Sequence, residues 1–376
     1  MTDKRKLLFV VNVDWIFISH RLPIALEAKN AGYKVLVAAK DSGRADEIRK
    51  LGIEFIHIPI SRSGTNPFVE LQVLFCFFKL YRKIKPDIIH HITMKPIIYG
   101  SLVARLLRIK TVNAISGLGY VFTEGRDGFV QKLMIYCMRF GFSKKENHLI
   151  FQNLDDKNEL ERKKILNKNS AYSLIKGVGV DLAAYATVTI SKRDPITIVM
   201  PARMLWDKGV HEFVEAAKIL EAKYKGKVLF QLCGRADLEN KMGVPVSFLK
   251  EIQIEDYLMW IGFHEDMIPV YQEADLVVLP SYREGLPKTL IEACASGLPI
   301  VTTNAIGCKD CVEDGKNGLK VPVKSIDVLA EAIEKLILSP ELRESMGEYS
   351  RNKAIQEFDQ KDVIAKHLEI YTSFMD

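Results

Sequence analysis

Short apolar runs alternate with segments of helical period along the first half of the chain. Buried strands are expected at residues 6–13, 34–40, 54–60, 87–93, 111–116 and 148–153. The stretches between them, such as 21–32 and 96–109, place their apolar residues on one helical face. Strand–helix alternation of this kind predicts an α/β fold with a parallel sheet that helices cover on both faces.

The pattern pauses in the Gly-rich and polar stretch 177–195 and then restarts. The second series of apolar runs covers residues 196–203, 228–234, 258–263, 276–281 and 299–304. The tail from 325 to 375 is helical in character. A pattern that repeats in this way predicts two similar Rossmann-like domains. They are expected at 1–185 and 186–358, and a helix at 359–376 is expected to pack back on the first domain.

Composition adds a charge asymmetry to this picture. Residues 1–182 carry 30 Lys and Arg against 17 Asp and Glu, whereas the remainder carries 23 against 30. A basic half is expected to face something anionic, either nucleic acid or an acidic membrane surface, unless the asymmetry is chance scatter. No aromatic–basic motif of a known nucleic-acid module is present, so we expect no nucleic-acid partner.

The chain of 376 residues, 48% of them hydrophobic, resembles an ordinary globular protein in its composition. No segment approaches the roughly 20 apolar residues of a membrane span. The first 15 residues read as a strand rather than a signal peptide, and six cysteines make no disulfide framework. We therefore expect a cytoplasmic protein.

Two segments of the basic half combine apolar and aromatic residues with a basic end: 67–85 and 129–145. Each could be an ordinary helix that covers the sheet. Alternatively, the two could lie on an anionic bilayer, which would make the protein peripheral on the inner face of the cell membrane. Both alternatives remain open at the level of sequence.

The stretch SYREGLPKTLIEACASGLPIV, residues 281–301, carries the clearest chemical signal. Glu284 and Glu292 are eight positions apart on a strand–loop–helix, and the helix is expected to open at Pro287. The amino terminus of a helix offers unpaired amides to a phosphate, and Gly285 lets the backbone approach a ligand. The two glutamates either belong to a solvated helix face or hold two ends of one ligand.

A second strand–helix junction, PARMLWDKGVHEF, supplies the cations that an anionic leaving group requires. Arg203 and Lys208 lie five positions apart in the loop that follows the strand 196–203. Arginine offers a fork of donors and lysine a point charge, and together they can neutralise a departing diphosphate. By themselves they would be read as two solvated surface charges.

The segment EGLPKTLIE with Arg203 and Lys208 upstream resembles the E-x7-E family of retaining glycosyltransferases, family 4, of GT-B architecture, in which two Rossmann-like domains face each other across a cleft. The similarity spans nearly the whole chain, because NVDWIFISHRLP, HHITMKPIIYG, FQNLDD, GVGVD and WIGFHED also match in order. RMLWDKGVHEF is similar to the branch that extends polyprenyl-diphosphate-linked glycans, which includes N-acetylgalactosaminyltransferases and capsule enzymes.

This resemblance implies roles in binding a UDP-sugar. Glu284 would hydrogen-bond hydroxyls of the donor sugar, and Glu292 would bind the ribose. Arg203 and Lys208 would hold the diphosphate. The remaining expected contacts come from loop and strand-end positions: Gly234, Phe263, Gly285, Leu286 and Pro287.

In the first domain, the resemblance implies an acceptor side formed by the loops Val13–Arg21 and Ser116–Tyr120. Its candidate residues lie on these loops and on the neighbouring strand: Asp14, His20, Arg21, His91, Ser116 and Gly117. Many family members have paired glycines where this chain has Val13–Trp15, and a histidine where it has Ser116. His20, His90 or His91 could replace that histidine, although a single histidine is more often structural.

The resemblance implies transfer of a hexose or N-acetylhexosamine from a UDP-sugar to a polyprenyl-diphosphate-linked saccharide, with retention of configuration. No D-x-D motif is present, so no metal cofactor is expected, and Cys308 with Cys311 is read as two thiols rather than half of a zinc site. A UDP-N-acetylglucosamine 2-epimerase is the alternative function. A nicotinamide oxidoreductase is disfavoured, because no G-x-G-x-x-G follows the first strand.

Overall fold

Parallel strands form the centre of each of the two units into which the chain folds. A computed structural model describes residues 4–60, 67–118, 128–143, 145–167, 169–185, 194–238 and 240–374. Unit 1 comprises Met1–Val178 with Asp362–Asp376, and unit 2 comprises Gly179–Lys361. The boundary between the units lies between residues 178 and 179, whereas the sequence pattern predicts it near residue 185.

Unit 1 contains a seven-stranded parallel sheet in the order β3-β2-β1-β4-β5-β6-β7. Its strands are Lys6–Val13 (β1), Lys34–Lys40 (β2), Glu54–His57 (β3), Ile88–Ile92 (β4), Lys110–Ile115 (β5), Asn147–Phe151 (β6) and Ala171–Leu174 (β7). The central strand β1 has an almost unbroken buried run, because helices cover both of its faces.

The helices of unit 1 are Asp14–His20 (α1), Leu22–Asn30 (α2), Ala45–Lys50 (α3), Pro67–Ile84 (α4), Ser101–Leu106 (α5), Phe129–Phe142 (α6), Leu154–Arg162 (α7) and the carboxyl-terminal helix Gln360–Ser373, named α15 below. A π-helical turn, Pro96–Gly100, precedes α5. Phe9 of β1 and Tyr371 of the carboxyl-terminal helix both belong to the core on one face of the sheet. Val10 and Phe77 of α4 belong to the core on the other face.

Unit 2 repeats this design with a six-stranded parallel sheet in the order β10-β9-β8-β11-β12-β13. Its strands are Ile196–Pro201 (β8), Val228–Cys233 (β9), Leu258–Gly262 (β10), Leu276–Leu279 (β11), Ile300–Thr303 (β12) and Gly318–Val321 (β13). Its helices are Val210–Tyr224 (α8), Val246–Glu251 (α9), Ile268–Glu273 (α10), Lys288–Ala295 (α11), Cys308–Cys311 (α12), Ile326–Leu338 (α13) and Pro340–Glu357 (α14), followed in the chain by Gln360–Ser373 (α15).

The predicted fold class, parallel sheets covered by helices in two α/β units, is confirmed. Two short strands, β7 and β13, were not predicted, because each has only four residues and two of their positions at most are buried. One prediction is wrong: the segment Val13–Arg21 is not a loop, because residues 14–20 form α1. The apolar residues of WIFI occur in a row, and Phe17 is buried in the core.

The strand order of each sheet reverses direction at one point. In unit 1 this switch point lies between β1 and β4, and in unit 2 it lies between β8 and β11. Loops that leave two such neighbouring strands diverge to opposite sides of the sheet. Ligands of open parallel sheets bind in the crevice that this divergence creates, at the carboxyl ends of the strands.

The two amphipathic segments are the helices α4 and α6, although residue 144 lies outside the described residues. Both leave large apolar side chains exposed, among them Phe68, which is 79% exposed, Phe75 and Tyr136. Within the described parts of the chain, no helix combines the length and the apolar character needed to cross a bilayer.

Candidate active site

The loops that follow β8 and β11 meet at the switch point of unit 2. The backbone N–H of Tyr282 donates to the carbonyl of Asp207 at 2.9 Å, which joins the two loops directly. Gly209 has a φ of 81°, and a Cβ at this position would lie 2.3 Å from the carbonyl oxygen of Pro280. The close approach of the two loops therefore requires glycine at position 209.

Lys208 and Glu284 form an ion pair between these two loops. Lys208 Nζ donates to Glu284 Oε1 at 2.5 Å, and the hydroxyl of Ser281 donates to the same oxygen at 3.0 Å. The side chains are only 14% and 17% exposed, so water weakens their attraction less than it weakens that of a surface pair. Two residues that lie 76 positions apart in the chain thus share one site, as the sequence analysis expected.

The backbone of Glu284 is fixed from a third side. Its N–H donates to the carbonyl of Ile306 at 2.9 Å. Gly307 has a φ of 80°, and a Cβ there would lie 2.5 Å from the carbonyl oxygen of Glu284. Glycine at position 307 is therefore required for the turn that supports the loop.

The helix α11 begins at Lys288, with Pro287 as the residue that precedes its first turn. Proline suits this position, because the first amides of a helix have no partner inside the helix. Leu286 is buried in the core of unit 2, so it anchors the loop, and Gly285 precedes it. The amino terminus of α11 therefore follows the loop that carries Glu284, on the side of the sheet where β11 ends.

Glu292 does not lie on a solvated helix face. It is buried on α11, and both of its carboxylate oxygens accept hydrogen bonds. The hydroxyl of Tyr185 donates to Oε1 at 2.8 Å, and the hydroxyl of Tyr271 donates to Oε2 at 3.1 Å. Lys288 Nζ lies 2.9 Å from Oε1. Burial, together with the charge of Glu292, raises the pKa of both tyrosines above the ordinary value, so both remain proton donors.

Arg203 lies in the same loop as Lys208 but in a different environment. Its guanidinium group is 42% exposed and pairs with Asp237 at 3.0 Å. An exposed pair of this kind contributes little to stability, and its arginine is available to another anion. The structure therefore places Arg203 at the rim of the switch point rather than in direct contact with Glu284.

Gly234 and Phe263 follow the neighbouring strands β9 and β10. A Cβ on Gly234 would lie 1.8 Å from the carbonyl oxygen of Ala202. Position 234 therefore requires glycine, because the loop after β8 packs directly against it. The exposed ring of Phe263 lies 4.4 Å below the guanidinium group of Arg235. An aromatic ring next to a cation is a surface on which a nucleobase can stack.

In unit 1, the candidate residues after β1 have separate roles. Asp14 is buried and accepts hydrogen bonds from the backbone N–H groups of Ser42 and Arg44, at 2.7 and 3.1 Å, and from the hydroxyl of Ser42. Burial alone would raise its pKa, but these hydrogen bonds lower it below the usual value. His20 ends α1 and is half-buried, with Nδ1 2.5 Å from the hydroxyl of Ser19.

Arg21 is buried between α1 and α2, and burial lowers its pKa to about 10. Its NH1 group donates to the carbonyl of His20 at 2.9 Å. His90 of β4 lies nearby on the same face of the sheet, where its Nδ1 is 2.6 Å from the hydroxyl of Tyr371. Both side chains are thus part of the interior beneath the carboxyl-terminal helix.

His91 points to the opposite face of the sheet, and both of its ring nitrogens have partners in the interior. Nδ1 donates to Asn113 Oδ1 at 2.9 Å, and Nε2 accepts from the hydroxyl of Tyr81 at 2.8 Å. Burial lowers its pKa to about 3, so the ring is neutral. The structure does not bring His91 together with the other candidate acceptor residues, because its hydrogen-bonding capacity is already used.

Ser116 and Gly117 follow β5 at the same sheet edge, and Ser116 is exposed. Gly117 has a φ of 112°, which a residue with a side chain adopts only at a cost. The rest of the predicted acceptor loop, residues 119 and 120, lies outside the described residues.

Within the described part of the chain, no group of three or more His, Cys, Asp and Glu side chains could hold a metal ion. Cys308 and Cys311 are buried free thiols in the short helix α12. Burial, followed by the charge of Glu284, raises the pKa of Cys308 to about 12, and burial raises that of Cys311. Both therefore remain protonated.

Sequence reasoning missed the residues that orient the two glutamates. Tyr185 reaches Glu292 across 107 positions, and Ser281 and Gly307 support Glu284. The glycines of SGLP (296–299) and AIGC (305–308) indicate turns, but no local pattern reveals which distant backbone each turn contacts. The position of Tyr185 in the Gly-rich stretch likewise gives no signal of a partner on α11.

Comparisons with known proteins indicate the family of this chain. The model of the family described as "Glycosyl transferases group 1" matches residues 186–353, and the "Glycosyl transferase 4-like" model matches residues 6–153. Among solved structures, sucrose-phosphate synthase from Thermosynechococcus elongatus has a TM-score of 0.79, with 18% identity and 99% of both chains covered. Anabaena HepE in complex with UDP and glucose has a TM-score of 0.78, with 18% identity, 98% of this chain and 100% of that chain covered.

Curated relatives match over most of their length. A Campylobacter jejuni protein, N,N'-diacetylbacillosaminyl-diphospho-undecaprenol alpha-1,3-N-acetylgalactosaminyltransferase, is 29% identical over 94% of this chain and 97% of its own length. An Escherichia coli protein, UDP-Gal:alpha-D-GlcNAc-diphosphoundecaprenol alpha-1,3-galactosyltransferase, is 24% identical over 91% of this chain and 89% of its own.

The two Rossmann-like units give the chain the GT-B type of fold that its solved structural neighbours have. Because the two family models together span most of the chain, it belongs to the group 1, family-4-like glycosyltransferases. The prediction of a glycosyl-transferring enzyme is thereby confirmed. The epimerase alternative finds no support in these comparisons.

Proposed function

We propose that the protein transfers a hexose or N-acetylhexosamine from a UDP-sugar to a lipid-diphosphate-linked saccharide, with retention of configuration, in the assembly of a bacterial surface glycan. The observation that carries this proposal is the ion pair of Lys208 and Glu284 at the switch point of unit 2. Lys208 is the cation proposed for the diphosphate, Glu284 is the carboxylate proposed for the sugar, and the loop of Glu284 leads into the amino terminus of α11.

Breaking the bond between sugar and diphosphate produces positive charge at the anomeric carbon and negative charge on the leaving group. Lys208 has three ammonium protons, so it can contact a phosphate oxygen while it keeps Glu284. Arg203 and the first amides of α11 are the further donors proposed for the diphosphate. The departing diphosphate then accepts the proton of the acceptor hydroxyl, which attacks from the same face.

Two relatives support the class of acceptor, because their names state undecaprenyl-diphosphate-linked substrates. Because each relative is less than 30% identical to this chain, we propose only the classes of its substrates, a UDP-sugar as donor and a lipid-linked saccharide as acceptor. Their names also differ in the sugar transferred, N-acetylgalactosamine in one and galactose in the other. The choice between hexose and N-acetylhexosamine is therefore left to experiment.

We further propose that unit 1 docks on an anionic membrane surface, on the inner face of the cell membrane, through α4, α5 and α6. Among the described residues, their exposed large apolar side chains are Phe68, Val69, Leu71, Phe75, Leu106, Leu133, Tyr136 and Phe140. Cations stand directly above two of these rings: Lys79 lies 4.4 Å from Phe75, and Arg105 lies 4.4 Å from Phe140. Apolar rings next to cations suit the boundary between acyl chains and acidic headgroups.

No metal is assigned a role in this proposal, because Lys208, Arg203 and a helix terminus supply the positive charge that the leaving group needs. The decisive assay measures UDP release from a panel of UDP-sugars in detergent and EDTA, with and without a polyprenyl-diphosphate-linked mono- or disaccharide. Release from one donor, only with the lipid acceptor present, is the expected result, and NMR of the product gives the anomeric configuration. Epimerisation of UDP-N-acetylglucosamine without acceptor would refute the proposal.

A further inference from the structure

The carboxylate of Glu292 has three donors in the structure, one more than that of Glu284. A carboxylate offers four lone-pair positions, two on each oxygen. Tyr185 and Lys288 occupy Oε1, and Tyr271 occupies Oε2. Three of the four positions are thus engaged on a side chain that is only 4% exposed.

The three donors are not equivalent. Lys288 is 38% exposed, so it can swing into solvent at little cost. The hydroxyl proton of Tyr271 is shared, since it lies 3.1 Å from Glu292 Oε2 and 3.0 Å from the carbonyl oxygen of Thr289. Among the described residues, the hydroxyl of Tyr185 has Glu292 Oε1 as its one acceptor, at 2.8 Å.

The segment that carries Tyr185 is itself firmly held. Arg351 of α14 donates to the carbonyls of Leu182 and Tyr185, at 3.0 and 2.8 Å, and also to that of Ala295 at the end of α11. Upstream, the N–H of Val180 donates to the carbonyl of Phe358 at 2.9 Å. The backbone of Tyr185 is therefore fixed to the same helix that carries Glu292, and its ring lies 6.1 Å from that of Tyr271.

When Lys288 moves away, one lone pair on each oxygen of Glu292 becomes available. The 2′- and 3′-hydroxyls of a ribose are two adjacent donors that can meet these two lone pairs together. That match requires a fixed carboxylate plane, whereas the terminal torsion of a free glutamate rotates broadly. The hydroxyl of Tyr185 removes this freedom.

We infer that Tyr185 is a positioning residue for the donor nucleotide: its hydroxyl orients the Glu292 carboxylate toward both ribose hydroxyls and so makes the site prefer ribonucleotides to 2′-deoxyribonucleotides. This inference rests on the proposed function, because it takes a UDP-sugar as the donor. It adds Tyr185, a residue that the E-x7-E pattern does not contain.

The test measures the binding of UDP and of 2′-deoxy-UDP to the full chain by calorimetry, for the wild type and for Tyr185→Phe. The substitution keeps the ring and its packing and removes only the hydroxyl. We expect the wild type to prefer UDP about tenfold, as one lost hydrogen bond to a charged group implies. In Tyr185→Phe the preference should shrink to about twofold, mostly through weaker binding of UDP.

Tyr224→Phe is the matched control. Tyr224 donates to Glu334 at the same distance of 2.8 Å, in the same unit, between α8 and α13. Its substitution should leave the preference for UDP as in the wild type. A Tyr185→Phe variant that keeps the full wild-type preference would overturn the inference and leave the proposed function intact. A wild type that binds neither nucleotide would overturn both.

Discussion

In unit 2 the loops after β8 and β11 meet around a lysine and a glutamate that are partly accessible, whereas in unit 1 Asp14, which follows β1, and His91, which belongs to β4, are buried and already paired. Both sheets have the same strand order around their switch points. Lys208 and Glu284 remain partly accessible to a ligand, but Asp14 and His91 are fully buried with interior partners. One topology thus carries partly accessible polar residues at the switch point of one unit and buried, paired ones at that of the other.

This difference indicates how to read polar residues at such positions. Asp14 follows β1 as Arg203 follows β8, yet three of the four donors around Asp14 belong to Ser42 and Arg44 and hold that part of the chain in place. A polar group at a switch point becomes a candidate for catalysis when its hydrogen bonds leave capacity for a ligand. The following predictions test that distinction, beginning with the largest effect.

Lys208→Ala should reduce the turnover number about 10²–10³-fold, because the diphosphate loses its half-buried cation. The melting temperature should fall as well, because Glu284 loses its cation in a largely buried position and keeps only the hydroxyl of Ser281, so activity is compared at a temperature where the variant is folded. UDP release under saturating donor measures this effect. Lys218→Ala is the control, because Lys218 forms an exposed pair with Glu215. Equal activities of the two variants would contradict a catalytic role for Lys208.

Gly209→Ala should lower the free energy of unfolding of unit 2 by about 2–3 kcal/mol, because the new methyl group meets the carbonyl of Pro280. Activity should fall with it, since the two loops separate. Gly226→Ala is a matched control: it has the same φ of 81° but no atom within 4 Å of the new Cβ. That variant should lose only about 1 kcal/mol in urea denaturation. Equal losses would show that the loops do not need this close approach.

Asp14→Asn should destabilise the protein by about 2 kcal/mol at pH 7, because charge-assisted hydrogen bonds are lost. The pKa of Asp14 is depressed in the folded state, so its contribution to stability is present above the unfolded pKa, near 3.8, and is lost as the pH falls through the folded value. Urea denaturation at pH 7 and at pH 3 measures both quantities. The difference between variant and wild type should shrink at the lower pH. A turnover number that falls while stability is unchanged would assign Asp14 to the chemistry instead.

The hydrophobic pattern alone predicted most of the fold. The strands predicted at 6–13 and 34–40 have the same bounds as β1 and β2. Long apolar runs bounded by segments of helical period are compatible with few other structures. The chain also brought Lys208 and Glu284 together as expected. The tyrosines around Glu292 could not be predicted, because their contacts span 21 and 107 positions and leave no period in the sequence. A buried strand was predicted at 87–93, but the interior hydrogen bonds of His91 were not: a strand of apolar residues gives no sign of a polar partner such as Asn113 on the next strand.

Lys79→Ala tests whether the apolar face of unit 1 belongs to a membrane surface. Lys79 stands 4.4 Å from the exposed ring of Phe75, and a basic residue near an acidic bilayer contributes about 1 kcal/mol. In sedimentation with vesicles of about 30% anionic lipid, the affinity of Lys79→Ala for the vesicles should therefore be about fivefold lower than that of the wild type. Lys366→Ala, at an exposed position of α15, should sediment as the wild type does. Because screening by salt acts on this attraction, the difference between the two variants should diminish at high ionic strength. Equal sedimentation of both variants at low salt would mean that α4 only covers the sheet, and the contrast between the units would then lie in their switch points alone.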